Sequence, residues 1–166
     1  KRRAIMYNIE TMDYLIKQIS HYISQLFTTK YVSPQNIYVE DYKILTNQYC
    51  FYFAKLLQEY FPEGKVVYVA QASHYIFLYD ENYYDGRGFI ETYFEKAFVI
   101  DEEFILLNPN NLYFIDDMDQ EYEYALCNGL TDTYRDNEWH EIKKSLDSYI
   151  KNLLQDTSLS RKIPQN

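Results

Sequence analysis

A cysteine, a histidine and an aspartate occur in this order along the chain, each at a position suited to catalysis. Cys50 begins an apolar run that repeats at helical intervals. His74 opens a strand-like run, and Asp85 follows the turn that ends it. This order predicts a nucleophilic thiol, a general base and a residue that orients the base.

The elements around these residues give each one a reason for its position. A helix capped by Thr46 or Asn47 puts Cys50 in its first turn. There, unpaired amide hydrogens and the helix dipole favour a thiolate and can hold an oxyanion. His74 and Asp85 fall on the two arms of a hairpin, opposite or diagonal to each other. We therefore expect the imidazole to lie between the thiol and the carboxylate.

Two neighbours of this triplet are candidates for substrate binding. Gln48 precedes the cysteine by two residues, and Arg87 lies between two glycines close to Asp85. A guanidinium in this place can bind a carboxylate or phosphate of a substrate, or it can neutralise Asp85. The sequence leaves both roles of Arg87 open.

Each member of the triplet also has a purely structural interpretation. A free cysteine in an apolar helix is usually a small core residue. A histidine on a strand often makes only ordinary hydrogen bonds, and Tyr-Asp-Gly is common turn sequence. The chemical interpretation depends on finding the three residues in this order and on these elements.

Residues 46–88 resemble the core of the papain-like and transglutaminase-like cysteine hydrolases, a superfamily with bacterial and phage-borne members. The resemblance lies in the Cys-bearing helix, a Phe-Pro-Glu-Gly-Lys turn, two strands and a Tyr-Tyr-Asp-Gly-Arg-Gly ending. It implies Cys50 as nucleophile, His74 as base and Asp85 as orienting residue. It implies neither a substrate nor a reaction, because some members of the superfamily have lost catalysis.

One departure from the papain pattern narrows this expectation. Papain-type proteases often have a tryptophan or glycine beside the nucleophile, whereas Tyr49 and Phe51 flank Cys50 here. This difference favours a narrow hydrolase, a transferase or a retired enzyme over a general protease.

The composition predicts one folded domain with an unusual surface. The chain has 166 residues, of which 47% are hydrophobic, enough for a substantial core. Its 20 tyrosines predict an adhesive surface for protein, nucleobase or sugar partners. The alternative is a strand-rich chain from an AT-biased genome that uses tyrosine in place of phenylalanine and leucine.

The charge predicts which partners the chain can bind. A net charge of −9 disfavours direct binding to a DNA backbone and favours a basic protein partner or simple solubility. The acidic stretch 116–123 lacks the glycine and the ligand periodicity of a calcium loop, so we expect a solvated acidic face. If this face binds a partner, Asp116, Asp117 and Asp119 are the candidate residues.

Few features point to metals, cofactors or membranes. Cys50 and Cys127 form no cysteine framework, so we expect a reduced, cytoplasmic protein. His21 and His140 have no partner ligands at metal spacing, and no cofactor is expected. No apolar run approaches the ~18 residues of a membrane span. The basic start at residues 1–3 has no signal-type hydrophobic region behind it, and the missing initiator Met predicts a trimmed start.

The pattern along the chain predicts a single α+β domain over residues 1–156, followed by a frayed tail at 157–166. A small antiparallel sheet packs against the helix of Cys50, with further helices at both ends of the domain. The predicted elements are a helix at 11–27 capped by Thr11, a connection at 31–43, the Cys50 helix, strands near 66–70, 74–79 and 83–85, a short helix at 91–98, strands at 104–107 and 112–115 around an Asn-Pro-Asn-Asn turn, and a helix at 137–154.

Three functions remain open at this point. The first is a cysteine-dependent hydrolase or acyl transferase acting on an amide, ester or thioester bond, with a protein or peptide as substrate. The second is an acidic, tyrosine-rich inhibitor of phage type that blocks a basic protein handling nucleic acid. The third is an RNA-cleaving derivative of the same fold, in which His74, Asp85 and tyrosines act without the thiol.

Overall fold

The computed structural model describes residues 6–30, 45, 48–90, 97–100, 103–106 and 111–161. The helices in these ranges are α1 Ile9–Lys30, α2 Cys50–Tyr60, α3 Met118–Cys127 and α4 Thr133–Arg161. The strands are β1 Lys65–Val69, β2 His74–Tyr79, β3 Asn82–Asp85, β4 Gly88–Phe89, β5 Ala97–Ile100, β6 Glu103–Leu106 and β7 Leu112–Ile115. A 3₁₀ turn, Ala70–Ala72, joins β1 to β2.

The first helix buries the apolar stripe that its sequence predicts. Its fully buried side chains are spaced three and four residues apart, as one face of a helix requires: Met12, Leu15, Ile16, Ile19 and Ile23. The predicted cap, Thr11, is wrong because the helix begins at Ile9. Asn8 is the capping residue, and its side-chain oxygen accepts a hydrogen bond of 2.8 Å from the Thr11 amide.

Five strands form an antiparallel sheet in the order β4-β3-β2-β1-β7. In its register Val67 pairs with Ile76, and Phe77 pairs with Tyr84. The turn between β2 and β3 consists of Asp80 and Glu81, with φ values of 47° and 66°. Positive φ at both positions is what a tight two-residue hairpin needs, so this turn fixes the register between the two strands.

Helix α2 packs on the sheet and forms the centre of the core. Phe51 contacts the ring of Tyr75 at a centroid distance of 5.1 Å, and Phe77 is fully buried below the helix. Gly64 lies so close to Phe77 that an added Cβ would stand 2.1 Å from its ring. The predicted α+β single-domain fold, with a sheet packed against the cysteine-bearing helix, is confirmed.

Tyrosine hydroxyls join the terminal helix α4 to the rest of the domain. Burial and a carboxylate neighbour raise the pKa of both Tyr52 and Tyr60, so these phenols stay neutral donors. The hydrogen-bonded pairs are Tyr49 with Glu138, Tyr52 with Asp136, Tyr60 with Asp147, and Tyr122 with Asp136. Part of the tyrosine excess therefore stabilises the interior and its edges.

The predicted short helix at 91–98 is wrong at its end. Residues 91–96 lie outside the described part of the chain, but Ala97 and Phe98 belong to β5, which pairs with β6. Pairing with a second strand satisfies the backbone groups of this β-branched segment better than one helical turn can. Strand β7 pairs with β1, so the two strands predicted around the Asn-Pro-Asn-Asn turn belong to different sheets.

The terminal helix is longer than its apolar pattern predicts. It continues through Arg161, past the predicted start of the frayed tail at Thr157. The hydroxyl of Thr157 donates a 2.8 Å hydrogen bond to the carbonyl of Leu153, one turn earlier. The predicted connection at 31–43 lies outside the described residues.

Candidate active site

The three residues of the predicted triad lie at the ends of three neighbouring elements. Cys50 is the first residue of α2, His74 is the first of β2, and Asp85 is the last of β3. The predicted caps, Thr46 and Asn47, lie outside the described residues.

The backbone of α2, β2 and β3 brings the side chains of Cys50, His74 and Asp85 near one another. The position before α2 is Tyr49, which makes no side-chain cap bond, so the first-turn amides are open to other acceptors. The β2–β3 register pairs Phe77 with Tyr84, and one further step along both strands puts Asp85 across from Ile76 and diagonal to His74. Diagonal neighbours on paired strands are within reach of a histidine side chain.

The histidine and the aspartate form a buried hydrogen-bonded pair. His74 Nε2 donates to Asp85 Oδ2 at 3.2 Å, and both side chains are 2% exposed. The carboxylate is thus placed to fix the orientation and tautomer of the ring, as the third member of a triad does.

Arg87 holds the same carboxylate from the other side. Its backbone amide donates to Asp85 Oδ1 at 2.8 Å, and its Nη2 donates to Oδ2 at 2.7 Å. Its Nε lies 3.2 Å from both oxygens. Of the two roles open to Arg87 from the sequence, the contacts match neutralisation of Asp85.

The thiol of Cys50 lies beside the imidazole. Burial raises the pKa of this thiol, but hydrogen bonding and charge from His74 outweigh it. The backbone amides of Tyr75 and Phe51 also donate to the sulfur, and the net result is a pKa below the usual thiol value. Within the described residues His74 Nδ1 has no partner in full hydrogen-bond geometry, so the contact with sulfur is loose. Catalytic pairs often tighten only when substrate binds.

The charges of the other two members fit the same arrangement. Burial lowers the pKa of His74, but Asp85 and Cys50 overcome this and raise it to about 9. Burial raises the pKa of Asp85, but hydrogen bonds from His74 and Arg87 lower it to about 2. The directions of these three shifts favour an alternating row of thiolate, imidazolium, carboxylate and guanidinium.

The site is nearly closed among the described residues. Cys50 is 6% exposed. The space beside Asp85, lined in part by Leu45, Tyr84 and Gly86, holds no volume for a water molecule. This space therefore has no room for a substrate.

The backbone of Gln48 has a structural contact, while the predicted role of its side chain in substrate binding stays a prediction. Its side chain is exposed, while its carbonyl oxygen accepts a 3.1 Å hydrogen bond from Arg135 Nη1. Arg135 also binds the carbonyl of Leu130 at 2.9 Å, so it ties the segment before α2 to the start of α4. Sequence reasoning missed Arg135, and it missed the amide of Tyr75, whose only signal is that it follows His74.

The predicted acidic face is exposed, and two of its residues also make contacts within the fold. The side chain of Asp116 is 84% exposed and pairs with Lys65 at 3.1 Å. Asp117 caps α3 by accepting hydrogen bonds from the amides of Asp119 and Gln120, both at 3.1 Å. Asp119 lies exposed in the first turn of that helix. Its negative charge interacts favourably with the positive end of the helix dipole.

The described ranges contain neither a grouped set of metal ligands nor a membrane-spanning helix. Among these residues no three or more His, Cys, Asp or Glu side chains are grouped so that they could hold a metal ion. In the same ranges no helix has the length and apolarity needed to cross a bilayer.

Comparison with known proteins identifies a family. No curated protein and no solved structure matches the chain. The family model of the Phage YunG-like protein matches residues 15–128 of the 166, a stretch that contains Cys50, His74 and Asp85. The chain belongs to the Phage YunG-like protein family, and is thus a protein of phage type.

Proposed function

We propose that the protein is a cysteine-dependent hydrolase or acyl transferase in which Cys50 is the nucleophile, His74 the general base and acid, and Asp85 the orienting residue. The observation that carries this proposal is the buried hydrogen bond between His74 and Asp85 with the Cys50 thiol beside the imidazole, together with a thiol pKa below and a histidine pKa above their usual values. The predicted likeness to papain-like and transglutaminase-like hydrolases is part of this proposal.

The chemistry follows from the placement of the groups. The Cys50 thiolate attacks a carbonyl carbon of an amide, ester or thioester, and the carbonyl electron pair moves to oxygen. The His74 imidazolium then gives its proton to the leaving group as the tetrahedral intermediate collapses to a thioester. Water or an amine, deprotonated by His74, attacks the thioester and releases the thiol.

The amides of Phe51 and Tyr75 have a defined part in this scheme. They donate to the sulfur in the resting site and stabilise the thiolate before attack. Arg87 keeps Asp85 ionised, so that the carboxylate holds the imidazolium through the reaction. Arg87 is accordingly a positioning residue in this proposal.

The reactivity of Cys50 toward iodoacetamide should depend only weakly on pH between about 6 and 8. An ordinary thiol gains reactivity about tenfold per pH unit below its pKa of about 8.5, because only the thiolate reacts. The proposed mechanism requires a resting thiolate at Cys50, so its rate should rise less than about threefold over this range. The measurement is alkylation followed by site-resolved mass spectrometry.

Cys127 is the internal reference in the same experiment. It is a free, exposed cysteine on α3, whereas Cys50 is buried. A Cys50 that remains unlabelled while Cys127 is modified, or one whose rate climbs with the slope of an ordinary thiol, would remove the enzyme proposal.

A second candidate function is supported by helix α3. The helix exposes acidic side chains together with Tyr124 and Leu126, which are 45% and 39% exposed. Such a surface, on a phage-type protein with net charge −9, fits an inhibitor that covers a basic surface of a nucleic-acid-handling protein.

Neutralising Asp116, Asp117 and Asp119 together should weaken binding to such a basic partner about tenfold at about 50 mM salt and little at about 500 mM. Asparagine is the replacement of choice because it preserves the α3 cap that Asp117 provides. Affinity is measured by titration at both salt concentrations, with Glu10→Gln on α1 as the control. Equal affinity of wild type and triple variant at low salt would dismiss the inhibitor function.

A further inference from the structure

Three tyrosines form a row across the centre of the sheet. Tyr68 on β1 pairs in register with Tyr113 on β7 and with Tyr75 on β2. The rings of Tyr68 and Tyr75 lie 4.8 Å apart. Residues in register on adjacent strands share one face, so the row is continuous across three strands.

Helix α3 closes one side of this row and forms a groove with it. Tyr124 meets Tyr68 edge to face, with centroids 5.7 Å apart and planes at 70°. Glu121, one turn earlier, accepts a 2.7 Å hydrogen bond from the hydroxyl of Tyr75. The groove has a volume of about 410 Å³, which is in the range of small-ligand sites. Its lining is Tyr68, Ala70, Tyr113, Glu121 and Tyr124.

The groove lies next to the candidate nucleophile. Tyr75 is at once the donor to Glu121 and the residue whose backbone amide faces the sulfur of Cys50. Tyr75 is also the in-register partner of Tyr68, which lines the groove, and the two rings lie 4.8 Å apart.

We infer that this groove, rimmed by Tyr113 and Tyr124 with Glu121 inside, binds a cationic side chain, lysine or arginine, of a basic peptide. The inference rests on the proposed function, because it makes the groove the subsite that presents a peptide to Cys50. Aromatic faces attract cations through their ring quadrupole, and a carboxylate among them adds a full negative charge.

The charges exclude the other ligands that stack on tyrosine. Glu121 and the net charge of −9 oppose a phosphate, so a nucleotide is disfavoured in this groove. A neutral aromatic ring would displace water from the Glu121 carboxylate without offering it a new partner, which is unfavourable because the charge loses its hydration. A cation can make cation–π contacts with the ring faces and an ion pair with the Glu121 carboxylate.

The open rim of the groove fits an external side chain. Tyr113 is 55% exposed and Tyr124 is 45% exposed, whereas Tyr75 at the inner end is buried. An extended peptide can thus place a long basic side chain between the exposed rings and direct its ammonium or guanidinium toward Glu121.

The inference is tested with ligands that differ only in charge. The wild-type protein is titrated with N-acetyl-arginine methylamide and with the neutral isostere N-acetyl-citrulline methylamide, and binding is followed by NMR. A lysine ligand and its neutral norleucine analogue form the second pair. Each cationic ligand should bind about tenfold more tightly than its neutral counterpart.

Two substitutions inside the groove and one outside it test whether the preference for cationic over neutral ligands arises in the groove. Glu121→Gln keeps an acceptor for the Tyr75 hydroxyl but removes the charge, and should reduce the preference to within about twofold. Tyr124→Leu should weaken the cationic ligands severalfold, because it removes one ring face. Glu123→Gln changes an exposed carboxylate on the same helix outside the groove lining, and should leave the preference intact.

The outcomes separate this inference from the proposed function. Equal binding of charged and neutral ligands, or an undiminished preference in Glu121→Gln, would overturn the cation groove whatever the thiol does. Cation-selective binding together with an unreactive Cys50 would leave the groove standing and remove the enzyme proposal.

Discussion

Replacement of His74 by alanine should lower the rate of Cys50 alkylation at pH 7 by about 100-fold. A thiol with a pKa of about 8.5 or higher is only a few per cent ionised at this pH. In the native site, burial opposes the thiolate and His74 is the first of the groups that overcome it. Without the imidazolium, burial dominates, and the thiol is held in its neutral, unreactive form.

The measurement is again site-resolved alkylation, with two controls. Cys127 in the same molecule should keep its rate, and His140→Ala, which removes an exposed histidine of α4, should leave Cys50 unchanged. His74→Gln serves as a second variant if the alanine protein is unstable. A native circular dichroism spectrum with an unchanged Cys50 rate would show that the cysteine is a packing residue and not a nucleophile.

Replacement of Asp85 by alanine should lower the free energy of unfolding by about 3 to 5 kcal/mol at pH 6. Its carboxylate, 2% exposed, is the shared partner of His74 and Arg87. Removing it leaves a buried imidazolium and a partly buried guanidinium without their anion. Breaking a buried pair in this way is costly because the remaining charges have lost their hydration.

The pH dependence of this loss has a definite sign. The pKa of Asp85 is lowered from 3.8 to about 2, so its contribution is present above pH 3.8 and is lost as the pH falls through about 2. The pKa of His74 is raised from 6.5 to about 9, so its contribution is present below pH 6.5 and is lost as the pH rises through about 9. The difference between wild type and Asp85→Ala should therefore be largest between about pH 4 and 6.5.

Urea denaturation of both proteins across this pH range measures the difference. Asp116→Asn is the matched control, because it breaks an ion pair with Lys65 that is exposed on both sides. The control should cost less than about 1 kcal/mol. A loss for Asp85→Ala that is equally small would mean that the row of charges through His74 contributes little to the folded state.

Local signals in the sequence account for the main elements of the fold. The 3.6-residue apolar period of α1, the β-branched and aromatic runs of β1 and β2, and the turn before Asn82 are determined by neighbouring residues. Hairpin geometry then follows from the chain itself, because a two-residue turn with positive φ fixes which residues face each other. For the same reason, the neighbourhood of His74 and Asp85 could be predicted without coordinates.

Other features required contacts between distant parts of the chain. The sequence cannot state that β7 pairs with β1, because that pairing joins segments more than forty residues apart. The contacts of Arg87 with both carboxylate oxygens of Asp85 likewise depend on how the β3–β4 turn folds. Asn8 replaced Thr11 as the cap of α1 because both residues have suitable side chains and only backbone geometry distinguishes them.

The sequence by itself determined the identity and order of the candidate catalytic residues and the elements that bear them. The tertiary structure decided whether the thiol of α2 meets the imidazole of β2, how deeply both are buried, and which tyrosines form a groove beside them. The physical reason is that burial and charge set the pKa values of Cys50, His74 and Asp85, and both depend on side chains brought together from α2, β2 and the β3–β4 turn.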